Sequence, residues 1–254
     1  MKNLNIFSLV AEYDNAKSGG ILNKPNVSFV NEDNSVKYLI DPYNGYEYVD
    51  LGLPSGLKWA TCNIGATSPE QSGLFFQSAE IKGYTYDYIE NLPGNGSEKY
   101  ENFYKNTDGK IYLDAIEKSL ENMFENTINF DIDIKHDAAH AYMGGNWRVP
   151  TIKEFDELFN TYDDNGLKYI NCEYIENYNN TNVNGFLITS KINGNTMFLP
   201  TFVDNYEICY KSSTIEFDIK YSYSNSLNYQ NVMGSLGRSF VDPYYFNNIR
   251  AVCK

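Results

Sequence analysis

The sequence predicts an α+β fold, with helices in the middle of the chain and short strands towards its end. Residues 151–154, Thr-Ile-Lys-Glu, have the residue types of a capping box, and apolar residues then recur at helical spacing up to Phe159. Short apolar runs separated by turn residues follow Gly166 and indicate strands. Of the 254 residues, 42% are hydrophobic, which suffices for the core of one large domain.

The first 41 residues differ from the rest and are predicted to form an attachment and oligomerisation segment. A short helix is expected from Ser8 to Lys17, capped by its first residue and ended by Gly19–Gly20. Residues 26–40 alternate apolar and polar side chains around a Glu-Asp-Asn turn, which predicts a β-hairpin. A lone hairpin is marginally stable. We therefore expect this segment, residues 1–41, to pack against the main domain, residues 42–254, against a second copy of the chain or against another molecule.

The main domain is predicted to combine strands, helices and a polar insertion. Two short strands are expected first, at residues 47–53 and 57–65. The stretch from Asn91 to Lys110 is polar and contains glycine, so we expect a loop or an insertion. Helices are expected at Leu113–Asn126, from its apolar spacing, and at Asp137–Met143, which ends at a Gly-Gly pair. Later strands are expected in the runs GFLITS, NTMFLP, STIEFDIKYSYS and IRAVC.

The acidic composition limits the partners that the chain is expected to bind. The formal net charge is −13, and such a surface repels phosphate backbones and anionic lipid headgroups, so we expect neither nucleic acid nor membrane as a partner. No apolar run approaches the length of a membrane span. The first residues also lack the pattern of a signal peptide, which predicts synthesis and retention in a cytoplasm.

The two histidines, His136 and His140, are spaced as a helical metal-binding pair would be. The metalloprotease pattern requires Glu after the first His, and Asp137 stands there instead. No sequence feature supplies a third ligand. We therefore expect Asp137 to cap a helix and predict no metal, and the absence of a nucleophile motif predicts that the chain is not an enzyme.

A tyrosine-rich run at residues 221–231 is the strongest sequence candidate for a binding surface. Tyr221, Tyr223 and Tyr229 alternate with Ser and Asn residues, a composition that suits stacking on sugars and hydrogen bonding to their hydroxyl groups. The same run also suits a sheet face packed against another chain. An ordinary solvated strand is an equal alternative.

Two longer stretches are more specific, namely residues 47–73 (EYVDLGLPSGLKWATCNIGATSPEQSG) and residues 144–159 (GGNWRVPTIKEFDELF). Together with FLP at 198–200 and IRAVC at 249–253, they resemble the Fibrobacter succinogenes major paralogous domain, which is related to the DUF1566 group. The order and spacing of these four motifs agree, and the resemblance covers nearly all of the main domain. It implies a C-type-lectin-like fold, close to the formylglycine-generating-enzyme scaffold, in which the chain ends near the domain start.

The resemblance also implies roles for motif residues: Trp59 and Trp147 as core anchors, Arg148 in an internal pair, and Pro150 preparing the Thr151 cap. Residues 210–213, Tyr-Lys-Ser-Ser, depart from the aromatic-Trp-Ser-Ser run that family members often carry. The Ca²⁺-dependent sugar motifs of true C-type lectins are absent from the sequence. The resemblance therefore brings no catalytic residue, metal or cofactor. The fold-signature residues are Trp59, Cys62, Trp147, Arg148, Pro150, Thr151 and Glu154.

Residues 5–42 resemble the short leaders of virion-associated proteins in crAss-like phages of Bacteroides-like hosts. This resemblance predicts a non-enzymatic virion protein, a head fibre or capsid decoration protein, that forms a homotrimer. We expect its first 41 residues to bind the capsid or another virion protein and its lectin-like domain to bind host or mucosal glycans. The residues predicted to attach it to the virion are Phe7, Leu9, Tyr13, Pro25, Val27 and Phe29.

Two alternatives remain open from the sequence. One is a bacterial carbohydrate- or protein-binding module that is not attached to a virion. The other is an enzyme of the formylglycine-generating type, which requires a reactive pair of cysteines close in space. The four cysteines are widely spaced and form no CxxC motif, so we expect buried thiols in a reducing compartment. They are Cys62, Cys172, Cys209 and Cys253.

Overall fold

The computed structural model describes most of the main domain and two short strands before it. The described residues are 28–30, 36–38, 43–120, 127–160, 165–201, 209–218, 223–232 and 235–254. In the strands within 28–38 and 218–237, the description covers the backbone alone. The predictions that lie outside the described residues are the helix Ser8–Lys17, the boundary at residues 41–42, the last six residues of the helix predicted up to Asn126, Tyr221, and the attachment residues Phe7, Leu9, Tyr13, Pro25 and Val27.

Helices and strands mix along the described chain. The α-helices are α1 (Tyr86–Glu90), α2 (Glu98–Tyr104), α3 (Asp108–Leu120), α4 (Ala138–Met143) and α5 (Ile152–Asn160). Short 3-10 helices lie at Ile134–His136 and Tyr178–Asn180. The strands are β1 (Ser28–Val30), β2 (Val36–Tyr38), β3 (Tyr48–Asp50), β4 (Lys58–Ala60), β5 (Phe75–Phe76), β6 (Thr127–Asp131), β7 (Ile170–Ile175), β8 (Gly185–Ser190), β9 (Thr196–Pro200), β10 (Cys209–Asp218), β11 (Tyr223–Val232), β12 (Ser235–Val241), β13 (Asn247–Asn248) and β14 (Val252–Cys253). The structure is therefore of the mixed α+β class, as predicted.

The strands of the main domain form three small sheets. The largest has the order β12-β11-β10-β13-β5, and β6 also pairs with β10. Two three-stranded sheets have the orders β14-β4-β3 and β7-β8-β9. Val252 of β14 lies opposite Trp59 of β4, so the chain end returns to the start of the domain, as expected. Strands β1 and β2 pair antiparallel, which confirms the strands of the predicted hairpin.

Helix α5 begins at the capping box that the sequence predicts. The Thr151 hydroxyl accepts a hydrogen bond from the Glu154 backbone N–H at 3.3 Å, and the Glu154 carboxylate accepts one from the Thr151 N–H at 2.8 Å. These two bonds satisfy donors that a helix leaves unpaired at its N-terminus. The apolar face of α5 is buried, and the rings of Phe155 and Trp59 lie 5.4 Å apart.

The run at residues 213–224, predicted as one strand, is divided between two. Strand β10 ends at Asp218, β11 begins at Tyr223, and these residues lie opposite each other in an antiparallel pair. Apolar and polar residues keep alternating along the run, so periodicity does not reveal the reversal. Strand β6 also escapes sequence prediction, because its partner β10 lies far along the chain.

The stretch from Asn91 to Lys110, predicted as a loop or insertion, contains α2 and the start of α3. The prediction of a loop is wrong, because the polar and glycine residues of this stretch conceal a helical spacing of aromatic residues. Tyr100, Phe103 and Tyr104 recur at helical spacing. The buried Tyr104 hydroxyl donates to the carbonyl of Ser78 at 2.6 Å. Tertiary packing thus stabilises a short helix that would be unstable alone.

A fully buried arginine joins the sheets at the centre of the domain. The Arg250 guanidinium donates to the carbonyls of Ala60 and Phe198 at 3.1 and 2.9 Å, and also to the carbonyl of Thr61. Its Nε donates at 3.0 Å to the Asn63 side-chain oxygen. The acceptors that the structure gives it are therefore neutral oxygens from β4, β9 and the loop after β4. Such a buried charge requires this complete set of hydrogen bonds to offset its lost hydration.

We expect Arg250→Met to lower the free energy of unfolding by about 3–5 kcal/mol, because it leaves several buried acceptors without a donor. The matched control is Arg238→Met, which removes an arginine that is half exposed and pairs with Asp156. An exposed ion pair contributes about 0–1 kcal/mol. Urea denaturation of both variants measures the difference, and equal losses would contradict the central role of Arg250.

Candidate functional site

An open groove of about 500 Å³ lies beside the helices that follow β5. Its lining includes the buried Tyr84 and the half-buried Phe103, with the exposed Asn102 and Asn106 at its rim. Volumes of a few hundred Å³ are typical of pockets for small ligands. The groove therefore has the size and the mixed polar and aromatic lining of a ligand-binding site.

Aromatic packing fixes the walls of the groove. Tyr84 pairs with Phe75 through two backbone hydrogen bonds, of 2.9 and 3.0 Å. Its ring meets those of Phe103 and Phe246 edge-on, with centroids 5.2 and 5.8 Å away, and stacks on Tyr88 at 5.0 Å. Edge-to-face contacts of this kind are favourable and directional. The ring positions are thus set by the fold.

Glu80 contributes a carboxylate to the groove from a largely buried position. Its residue exposure is 7%, and its two oxygens accept from the backbone N–H groups of Lys82 and Gly109, at 3.2 and 3.4 Å. Gly109 lies in the first turn of α3, where the helix dipole favours a negative charge. A Cβ at Gly109 would lie 2.6 Å from the Ser78 carbonyl, so a glycine lets α3 approach this closely.

Behind Glu80 lies a buried cavity of about 10 Å³, enough for one water molecule. Lys211 lines it with Gln77, and both residues are almost fully buried. The Lys211 ammonium donates to the Ser78 hydroxyl at 2.9 Å. The Gln77 side-chain oxygen is buried without a hydrogen-bond partner among the described residues. Glu80 lines both spaces and so separates the cavity from the groove.

An irregularity in β10 places Lys211 inside the domain. Lys211 lies opposite Asn228 and Ile215 opposite Ser226, so the three residues between them on β10 face a single residue on β11. Such a bulge turns side chains out of the regular alternation. The buried Thr214 hydroxyl donates to Asp131 at 2.5 Å and accepts from the α5 backbone. Burial without a carboxylate within 4 Å among the described residues lowers the pKa of Lys211 to about 7.

None of the fold-signature residues lines the groove, and each is buried or partly buried. Trp59 and Trp147 are fully buried, and the Trp147 indole donates to the Tyr43 carbonyl at 2.6 Å. Arg148 donates to both carboxylate oxygens of Glu154, at 2.7 and 2.5 Å. The remaining signature residues support the same region: Cys62 is half-buried beside Thr61, the Pro150 carbonyl accepts from Ser213, and Thr151 caps α5.

The two histidines do not share a helix face. His136 lies in the 3-10 helix before α4, and its Nδ1 lies 2.8 Å from the Asp133 carboxylate. His140 lies in α4, which Asp137 caps by accepting from the His140 N–H at 2.9 Å. Among the described residues, no group of three His, Cys, Asp or Glu side chains is arranged to hold a metal ion.

The cysteines are not joined by disulfides in the described chain. Burial raises the pKa of Cys172 to about 11, which lowers its thiolate fraction and hence its reactivity. Tyr223 and Tyr229 of the tyrosine-rich run lie in β11, where only the backbone is described, and Phe29 likewise lies in β1.

The residues with the most informative chemistry, Glu80, Lys211 and Arg250, were not predicted as site residues. Lys211 carried one signal, since it stands where the resembled family often has Trp. Glu80 carried none, because its environment is created by contacts with α3. No described helix is long and apolar enough to cross a membrane.

We expect the stability of the wild-type protein to rise between pH 7 and pH 9, by on the order of 1 kcal/mol per pH unit. Over this range the unfolded chain keeps its Lys211 proton, whereas the folded chain has lost it because its pKa is about 7. The unfolded state thus binds more protons, and a higher pH disfavours it. Lys211→Met is expected to lack this rise, while the exposed-site control Lys153→Met retains it. Urea denaturation at each pH measures this, and parallel curves for wild type and Lys211→Met would contradict it.

The chain matches no family model, no curated protein and no solved structure. The resemblance to the lectin-like family therefore stays a prediction.

Proposed function

We propose that the chain is a non-enzymatic structural protein of a phage virion, a head fibre or capsid decoration protein of a Bacteroides-infecting phage. Residues 1–41 attach it to the particle, and residues 42–254 form a C-type-lectin-like domain that binds glycans of the host or of mucus. The sequence motifs support both parts. The pairing of β14 with β4 supports the lectin-like part, because that fold brings the chain end beside the domain start.

The groove is the observation that carries the binding function. Sugar rings have apolar C–H faces and polar hydroxyl rims, so proteins bind them with aromatic rings and with carboxylate or amide groups. The groove offers the rings of Tyr84 and Phe103, the carboxylates of Glu80 and Asp108, and neighbouring amides.

The charge of the chain favours the same class of partner. A net charge of −13 disfavours nucleic acid and anionic membranes, whose binding depends on lysine and arginine contacts. Glycan binding requires no such basic surface. A bacterial binding module that is not attached to a virion is the second candidate, because the groove would serve it equally well.

Replacement of a groove wall is expected to weaken glycan binding. Phe103→Leu keeps an apolar side chain but loses the ring face, and we expect an affinity loss of several-fold to about tenfold. The matched control is Phe240→Leu, which changes an exposed phenylalanine on β12, outside the groove. A glycan array identifies the best ligand, and isothermal titration calorimetry with that glycan compares the variants. Equal affinities of the wild type and both variants would argue that the groove is not the glycan-binding site.

The assembly part of the proposal is tested by mass in solution. Light scattering is expected to give a trimer for the full chain and a smaller species for a chain that begins at residue 42. This start retains Tyr43, whose carbonyl accepts from Trp147, so the main domain keeps its contacts. A trimer in both chains would move the assembly contacts into the main domain. A monomeric full chain would contradict a self-assembled fibre and favour the bacterial module.

A further inference from the structure

Glu80 has an electrostatic environment that a bound cation would complete. The residue is only 7% exposed, and no lysine, arginine or histidine nitrogen of the described residues lies within 4 Å of its carboxylate. The two backbone N–H groups that it accepts from lie at 3.2 and 3.4 Å, at the long end of hydrogen-bonding distances. A buried carboxylate is costly unless a cation pairs with it.

The lining of the groove is acidic, and two of the lysines nearby pair with carboxylates outside it. Asp108 adds a second carboxylate to the lining. Lys110 pairs with Asp114. Lys105 pairs with Glu101 at 3.3 Å and also donates to Asn102. Neither of these two ammonium groups forms an ion pair with Glu80 or Asp108.

The aromatic walls favour the same kind of ligand group. The faces of aromatic rings carry negative electrostatic potential and attract ammonium groups within about 6 Å. Tyr84 already shows this property, because the Lys82 ammonium lies 5.2 Å from its ring centroid. Phe103 provides a second ring at the groove. The lining of the groove thus combines two acidic residues with two aromatic ones.

We propose that the groove selects sugars that carry a free amino group, with Glu80 pairing with the ammonium. This inference rests on the proposed glycan-binding function and names its ligand class. The groove is much larger than one ammonium group, and the Asn102 and Asn106 amides and the Thr107 hydroxyl suit the hydroxyl groups of a sugar. N-acetylation removes the positive charge from such a sugar. Sialylated and sulfated glycans are repelled by the two carboxylates and by the net charge of the chain.

Isothermal titration calorimetry in a mildly acidic buffer tests the proposal with two ligands of equal length. These are the glucosamine tetramer and its fully N-acetylated counterpart. We expect the wild-type protein to bind the glucosamine tetramer at least about tenfold more tightly, since N-acetylation removes the charge-assisted contact with Glu80. Added salt is expected to weaken this binding and to leave that of the N-acetylated tetramer unchanged.

Two variants assign the preference to one side chain. Glu80→Gln keeps the size of the side chain and removes its charge, and we expect the ratio of the two affinities to fall to about one. Glu173→Gln removes an equal charge from an exposed position on β7 and is expected to preserve the ratio. A thermal unfolding curve shows whether Glu80→Gln is folded. If it is not, the affinity ratio of the wild type and the salt dependence of that ratio still test the ammonium preference.

The possible failures are distinguishable. Equal binding of both tetramers by the wild type overturns the ammonium inference and leaves glycan binding intact. A preference that persists in folded Glu80→Gln overturns the role of Glu80. Tetralysine that binds as tightly as the glucosamine tetramer overturns the sugar assignment and indicates a peptide amine. A glycan array on which no glycan binds overturns the proposed glycan-binding function itself.

Discussion

The buried guanidinium of Arg250 is the interaction on which the rest of the structure depends. Neutral oxygens of Ala60, Thr61, Asn63 and Phe198 accept its hydrogen bonds. These acceptors belong to segments far apart in the sequence, so the charge is stabilised when all of them are in place together. A partly assembled domain would leave the guanidinium both dehydrated and unsatisfied. Arg250 therefore favours cooperative formation of the two three-stranded sheets.

Polar contacts of Gln77 connect the helices beside the groove to the rest of the domain. The Gln77 amide donates to the carbonyls of Tyr100 and Tyr244, at 3.1 and 2.6 Å, and so joins α2 to the segment after β12. Glu80 lies three residues after Gln77 and lines the groove. The core holds the fold, whereas the groove depends on residues 77–80 to position helices that would not be stable alone.

Local sequence signals predicted the parts of the fold that local interactions determine. The α5 capping box is an example, because its donors and acceptors lie within four residues. The α4 cap at Asp137 and the strand β8 were predictable for the same reason, since their signals lie within a few neighbouring residues. The groove was not predictable in this way. Glu80 and Phe103 come together through tertiary packing, and the helical spacing of Tyr100, Phe103 and Tyr104 was hidden within a polar stretch.

The separation of the groove from the Arg250 network has an evolutionary consequence. The rim residues Asn102, Asn106 and Asp108 are exposed and make none of the hydrogen bonds that hold Arg250. Substitutions at these positions would change the chemistry of the groove surface at little cost to folding. The groove is thus free to vary in sequence on an unchanged scaffold.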